Sequence, residues 1–212
     1  MEASLASRQT GNAPPGKNPF ATRYWGPGRL PLWLPPGESL SGLVDRLAQQ
    51  HFTGQIVGPH GSGKSTLLWH LRQHLACSRG AQCLAIKRPG RRGATCWKLR
   101  LPHPSGRGRK SLWLVDGWEQ LPEGWKLRLR LGRWYGHGLV LTTHTPTGLP
   151  TLAKTQATAA LLEHLLAHLD KQAQRLLRPG ETLPGLLQRH GGNLREVLFD
   201  LYDRYELLAQ GC

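Results

Sequence analysis

The sequence predicts an α/β fold with a mostly parallel three-layer sheet, followed by a small helical subdomain. Short apolar runs alternate with helical patterns as far as about residue 154, which is typical of parallel strands covered by helices. A glycine-rich motif at 58–66 connects one of these runs to a helix. After Thr155 the pattern becomes helical and rich in leucine.

The N-terminal part begins with a predicted disordered tail at 1–19, which is rich in Ser, Gly, Asn and Pro and shows no periodicity. From there to Pro36, aromatic residues alternate with Pro and Gly, which predicts a short strand or a packed loop. A helix is expected from Ser39 to about Gln50, with one apolar face made of Leu40, Leu43, Val44 and Leu47.

The motif follows the short strand Gln55-Ile56-Val57 and precedes Leu67-Leu68-Trp69. It has the spacing of a phosphate-binding P-loop in the required strand–loop–helix setting. The predicted nucleotide ligands are Gly58, Pro59, His60, Gly61, Ser62, Gly63, Lys64, Ser65 and Thr66. The alternative is a glycine-rich turn that contains a lysine.

The chemistry of phosphate binding explains which residue types occur in this motif. Glycines let backbone N–H groups point inward around an anion, and a helix N-terminus reinforces the site. Lys64 supplies a mobile positive charge for the β- and γ-phosphates, and the Ser65 hydroxyl is placed to bind Mg²⁺. The motif therefore predicts a P-loop NTPase fold with ATP and Mg²⁺ as its ligands.

Further elements complete a predicted α/β core at 20–154. Strands are expected at Gln82–Lys87, Ser111–Val115, Gly138–Thr142 and Thr151–Lys154, with a helix over Trp118–Leu131 broken near Pro122. Thr95–Leu101 alternates polar and apolar residues, which predicts a strand in an antiparallel excursion around 94–101. The helices Ala157–Lys171, Leu183–Gln188 and Asn193–Leu208 form a predicted lid at 155–212.

Two carboxylates follow the apolar run 112–115. Asp116 ends the strand, where a carboxylate can hold Mg²⁺, commonly through water. Glu119 lies three residues later and is a candidate general base that orients the attacking water. The alternatives are a helix N-cap for Asp116 and a solvent-facing first-turn carboxylate for Glu119.

Polar residues also end the next predicted strand. Thr142, Thr143 and His144 are candidates for contact with a γ-phosphate, because ligands bind at the carboxyl ends of parallel strands. Arg195 begins the last helix and would reach the phosphates if the lid folds over them. The alternatives are ordinary strand-end polar residues and a surface arginine paired with a carboxylate.

Over about 37–208 the chain resembles the AAA+ ATPases and their STAND relatives. The resemblance rests on the P-loop (Walker A), on Asp116-Gly117-Trp118-Glu119, which is similar to the NACHT-type Walker B, and on the strand ending Thr142-Thr143-His144. His144 stands where that family usually has an arginine. Gly191-Gly192-Asn193-Leu194-Arg195 looks like the sensor-2 region of origin-recognition-like members, which implies a nucleotide-sensing role for Arg195.

The motifs and the resemblance together predict a Mg²⁺-dependent ATP hydrolase that acts as a conformational switch toward a protein partner. Three alternatives stay open: a DNA-associated ATP-dependent regulator, a nucleotide-binding scaffold with little hydrolysis, and a small-molecule kinase. The sequence leaves the oligomeric state undetermined.

The net charge of +15 is unevenly placed. Residues 46–115 contain thirteen Lys and Arg and no Asp or Glu. Such clustered cations bind nucleic acid without regard to sequence, although a solvated surface is the alternative. The residues expected to contact DNA or RNA are Arg88, Arg91, Arg92, Arg107, Arg109 and Lys110.

Composition argues against several other classes. No apolar stretch approaches the length of a membrane span, and Met1-Glu2-Ala3-Ser4 does not begin a signal peptide. Cys77, Cys83, Cys96 and Cys212 show neither metal-ligand spacing nor a disulfide framework. A cytoplasmic location is therefore expected.

Overall fold

The computed structural model describes residues 17–26, 28–78, 83–86, 95–100 and 110–210, with the backbone alone for 77–78, 83–86 and 95–100. Its helices are α1 (Thr22–Trp25), α2 (Leu40–Gln49), α3 (Lys64–Ser78), α4 (Glu123–Trp134), α5 (Ala159–Leu169), α6 (Leu183–Arg189) and α7 (Leu194–Gln210). Its strands are β1 (Thr53–Val57), β2 (Cys83–Ile86), β3 (Thr95–Arg100), β4 (Ser111–Asp116), β5 (Gly138–Thr143) and β6 (Thr151–Lys154). Short 3₁₀ turns lie at Trp118–Gln120 and Ala173–Leu176.

The chain forms two compact units. The helical unit contains the described residues up to Trp33, the segment Pro59–Thr66 and the described residues from Gln156 on. The sheet unit contains Leu34–Gly58 and the described part of Leu67–Thr155. The predicted lid boundary after residue 154 lies one residue before the unit boundary. The described residues of 20–33 and the motif residues Pro59–Thr66, however, group with the helical unit and not with the predicted core of 20–154.

The sheet has six strands in the order β2-β3-β4-β5-β1-β6. Strands β4, β5, β1 and β6 pair parallel with one another in that order, and β3 is antiparallel to both β2 and β4. The predicted α/β fold and the antiparallel excursion around 94–101 are thus both confirmed. All six residues of β5 are buried, as expected for a strand between two parallel neighbours.

Helix boundaries in the sheet unit follow local chemistry. Ser39 caps α2 by accepting a hydrogen bond from the Gly42 amide at 3.0 Å. The expected break near Pro122 is present, because a 3₁₀ turn ends at Gln120 and α4 begins at Glu123. Trp118, Leu121 and Leu129 pack with buried residues of β4 and β5.

The helical unit has its own apolar core. Leucines of α5, α6 and α7 line it, and Phe20 and Leu30 from the N-terminal segment belong to the same cluster. The segment expected to be a short strand or packed loop before Pro36 contains the four-residue helix α1, and Leu30 lies after it in a loop packed into this core. Asn18 holds this segment to α7, because its side-chain amide donates to the Tyr202 carbonyl at 3.0 Å and to Glu206 at 2.8 Å.

No helix in the described part of the chain has the length and apolar character needed to cross a bilayer.

Candidate functional site

Three parallel strands of the sheet unit end in candidate site residues. Strand β1 leads into Gly58, β4 ends at Asp116, and β5 ends at Thr143. Since β5 lies between β4 and β1 and all three are parallel, their carboxyl ends share one edge of the sheet. The Gly58 amide donates to the Thr143 carbonyl at 3.2 Å, so the β1–β5 pairing continues into the first residue of the motif.

Asp116 is oriented by the neighbouring strand. The Thr142 hydroxyl, which is almost fully buried, donates to Asp116 Oδ1 at 2.7 Å and accepts from the Gly117 amide at 2.8 Å. Gly117 has φ +78°, so the chain turns sharply after the carboxylate. Gly117, and not Asp116, occupies the N-cap of the following 3₁₀ turn. These contacts favour a positioned carboxylate over the alternative of a helix cap.

Glu119 is bound to the end of β5. Its Oε1 lies 2.6 Å from the Thr143 hydroxyl and accepts a hydrogen bond from the His144 amide. Burial raises the pKa of Glu119, but these hydrogen bonds outweigh it, so the net pKa lies below its usual value. The carboxylate is therefore ionised at neutral pH, and it is a weaker proton acceptor than a free glutamate.

His144 connects β5 to the motif. Its Nδ1 lies 3.2 Å from the carbonyl oxygen of Gly58, the residue that begins the motif. Thr143 and His144 thus contact Glu119, and His144 also contacts Gly58. The structure brings these predicted site residues together at one sheet edge. The sequence had singled out each of them, but not the contacts between Glu119 and the end of β5.

The motif residues Pro59–Thr66 belong to the helical unit. Gly61 and Gly63 have φ of +69° and +90°, the left-handed conformation that favours glycine. Both the Lys64 ammonium and the Ser62 hydroxyl donate to the Pro59 carbonyl, at 2.6 and 2.9 Å. Lys64 is only 8% exposed, so the loop curls around a buried cation at the start of α3.

The turn before α7 packs against this loop. A Cβ added to Gly61 would lie 1.9 Å from Asn193 Oδ1 and 3.0 Å from the Leu194 amide nitrogen. Only glycine fits there without a shift. The Asn193 side chain also accepts a hydrogen bond from the Arg195 amide at 3.1 Å. Sequence reasoning explained Gly61 by its backbone freedom and missed this close approach.

Arg195 lies in the first turn of α7 and is exposed. Within the described residues it makes no ion pair, in contrast to the surface pairing considered as its alternative. A guanidinium at this position can bind an anion through two parallel hydrogen bonds. Contact with phosphate remains a prediction.

An ion network lies beside the same turn. Arg204 binds Glu181 and Asp200, Arg189 also binds Glu181, and His190 lies 2.9 Å from Asp200. Hydrogen bonds from Arg204 overcome burial and lower the pKa of Glu181 to about 2. Burial raises the pKa of Asp200, but Arg204 and His190 bring it below its usual value. The network fixes the end of α6 to α7, and the sequence did not predict it.

Other predicted residues fall elsewhere. Arg88, Arg91, Arg92, Arg107 and Arg109 lie outside the described residues, whereas Lys110 is described and exposed. Across the described ranges, no three His, Cys, Asp or Glu side chains form a group that could hold a metal ion. Comparison with protein-family models, with curated protein sequences and with solved structures finds no match to this chain.

Proposed function

We propose that the chain binds Mg²⁺·ATP through residues 58–66. The main support for this proposal is the local geometry of the segment. Strand β1 ends at Val57, α3 begins at Lys64, and two glycines between them have left-handed φ. Successive amides in such a turn form an anion-binding nest, and the N-terminus of the 15-residue α3 adds a favourable dipole. This combination suits a triphosphate better than a neutral ligand.

Lys64 is the cation of the proposed site. Its ammonium donates to the Pro59 carbonyl, a neutral acceptor. A phosphate oxygen would be a stronger partner, because a hydrogen bond between two ionised groups is about twice as strong as a neutral one. We therefore expect Lys64 to exchange the Pro59 carbonyl for the β- and γ-phosphates when ATP binds.

The metal is assigned to oxygen ligands. Mg²⁺ prefers an octahedral set of oxygens and keeps several waters, so one hydroxyl and one carboxylate suffice from the protein. We assign these roles to Ser65 and Asp116. The hydrogen bond from Thr142 to Asp116 would hold that carboxylate in one orientation.

Hydrolysis and switching are assigned to Glu119, Thr143 and His144. Thr143 and His144 share one oxygen of Glu119, so a phosphate contact at either residue would change the position of that carboxylate. With its lowered pKa, Glu119 would orient water more than it would abstract a proton. Arg195 would sense the nucleotide on the helical unit. We propose on this basis an AAA+/STAND-like cytoplasmic ATPase whose output is a changed contact with a protein partner.

Calorimetric titration of ATP into the full chain tests the binding proposal. Lys64→Ala should weaken Mg²⁺·ATP binding by about 10- to 150-fold, because hydrogen bonds to charged groups contribute about 1.5–3 kcal/mol. The matched control is Lys171→Ala, which removes an exposed lysine of the same unit and should leave binding unchanged. Equal affinity of wild type and Lys64→Ala, with or without Mg²⁺, would refute the proposal.

A phosphate-release assay separates the ATPase from the scaffold. Glu119→Gln should retain ATP binding and lose most of the turnover, since the amide keeps the size but not the charge of the carboxylate. Tight ATP binding by wild type without phosphate release would instead identify a scaffold. Turnover unaffected by Glu119→Gln would move the water-orienting role to another residue.

A further inference from the structure

Both units carry more cations than carboxylates among their described residues. The sheet unit has 10 Lys and Arg against 5 Asp and Glu, and the helical unit has 10 against 7. The sheet unit therefore attracts a polyanionic partner without any contribution from residues 59–66, which belong to the helical unit.

One groove of the sheet unit combines cations with aromatic rings. Its volume is about 520 Å³, and its lining includes Trp113, Leu127, Arg128, Leu131, Tyr135 and His137. The rings of Trp113 and His137 lie 5.1 Å apart with an interplanar angle of 33°. Lys110 is close to the same rim, because its Cε lies within 3.1 Å of a Cβ placed at Gly136.

Helix α4 presents large aromatic residues beside this groove. Trp134 is 88% exposed and Tyr135, which follows it, is 80% exposed. Arg128, Arg130 and Arg133 of the same helix are also exposed. The single carboxylate of α4, Glu123, pairs with Lys126 at 2.7 Å. We call Arg128, Leu131, Trp134 and Tyr135 the α4 patch.

We infer that the α4 patch and its groove bind single-stranded nucleic acid. Bases stack on exposed aromatic rings and phosphates pair with neighbouring cations, which is the usual composition of a single-strand site. A duplex keeps its bases stacked inside and offers no base faces to Tyr135 and Trp134. An acidic protein helix would satisfy the arginines, but it would not need two adjacent aromatic rings at nearly full exposure.

Fluorescence anisotropy with labelled oligothymidylate of about 20 nucleotides tests this inference on the full chain. Tyr135→Leu keeps an apolar side chain but removes the ring, and it should weaken binding by about 5- to 150-fold. Tyr135→Phe should bind like wild type, because the stacking face remains. Leu207→Ala, which truncates a 70% exposed residue of the helical unit, is the control and should have no effect.

Salt dependence tests the phosphate contacts separately. Arg128→Gln should reduce the slope of log K against log salt by about 0.7, the value for one single-strand phosphate contact. Arg178→Gln, at an exposed arginine of the helical unit, should leave the slope unchanged.

Three results would overturn the inference: tighter binding of a matched duplex, equal binding of poly-glutamate, or an unchanged affinity of Tyr135→Leu. Lys64→Ala should bind the oligonucleotide as wild type does. The test of the single-strand site therefore does not depend on whether the chain binds ATP.

Discussion

Replacement of Arg204 by methionine tests how far one buried ion network stabilises the helical unit. The guanidinium binds Glu181, whose side chain is 3% exposed, and lies 2.7 Å from Asp200 Oδ2. The pKa of Glu181 is about 2, compared with an ordinary value of 4.5. This difference corresponds to about 3 kcal/mol, which solvent screening near the surface reduces to about 2 kcal/mol.

The sign of the pH dependence follows from the direction of the shift. Because folding lowers the pKa of Glu181, its stabilisation is fully present above about pH 4.5 and is lost as the pH falls toward 2. Arg204→Met should therefore reduce the free energy of unfolding by about 2 kcal/mol at pH 7, and by less at pH 2.5. Urea unfolding followed by far-ultraviolet circular dichroism at both pH values measures the difference.

Two further variants make this test decisive. Arg178→Met changes an exposed arginine next to the network and should cost less than about 0.5 kcal/mol. The double variant Arg204→Met, Glu181→Gln also removes the charge of Glu181 and should recover part of the lost stability, because the single variant leaves this nearly buried carboxylate with Arg189 alone. A loss below about 0.5 kcal/mol for Arg204→Met at pH 7, with an unchanged pH profile, would refute the reasoning.

Three other substitutions have defined outcomes. Gly132→Ala places a Cβ 2.2 Å from the Trp113 ring and should cost about 1–3 kcal/mol in urea unfolding, with partial recovery on adding Trp113→Leu. Gly61→Ala should abolish ATP binding in calorimetry, and Asn193→Gly should not restore it, because the left-handed φ of +69° remains unfavourable. Phe20→Ala removes a fully buried ring and should destabilise the helical unit by about 3–5 kcal/mol, measured by hydrogen exchange of α7.

Much of the fold could be predicted because its signals are local. The apolar run ending at Val57 and the glycines that follow it define a strand and a turn within ten residues. The alternation of polar and apolar residues at 95–101 predicted strand β3, since a side-chain period of two is a property of the strand itself. The capping hydroxyls of Ser39 and Thr158 hydrogen-bond to amides three residues further on.

The remainder depends on contacts between residues far apart in sequence. Nothing around Asn18 indicates that its partner is Tyr202, 184 positions later. Likewise Gly61 and Asn193 each have an ordinary local explanation, and their close packing follows only from the folded chain. The same holds for Glu119 and Thr143, which are 24 residues apart. The geometry of the candidate site depends on such pairs, so the motif residues were predictable and their mutual arrangement was not.

The shared core of Phe20, Leu30 and the α5–α7 leucines has a consequence for biosynthesis. Phe20 leaves the ribosome about 180 residues before Leu201, with which it shares that core. At 5–20 residues per second, the delay is about 10–40 s. During that interval the nascent N-terminal segment displays an aromatic side chain with no completed core to receive it. A chaperone that holds unfolded chains would bind this segment during the delay, until α7 has been synthesised.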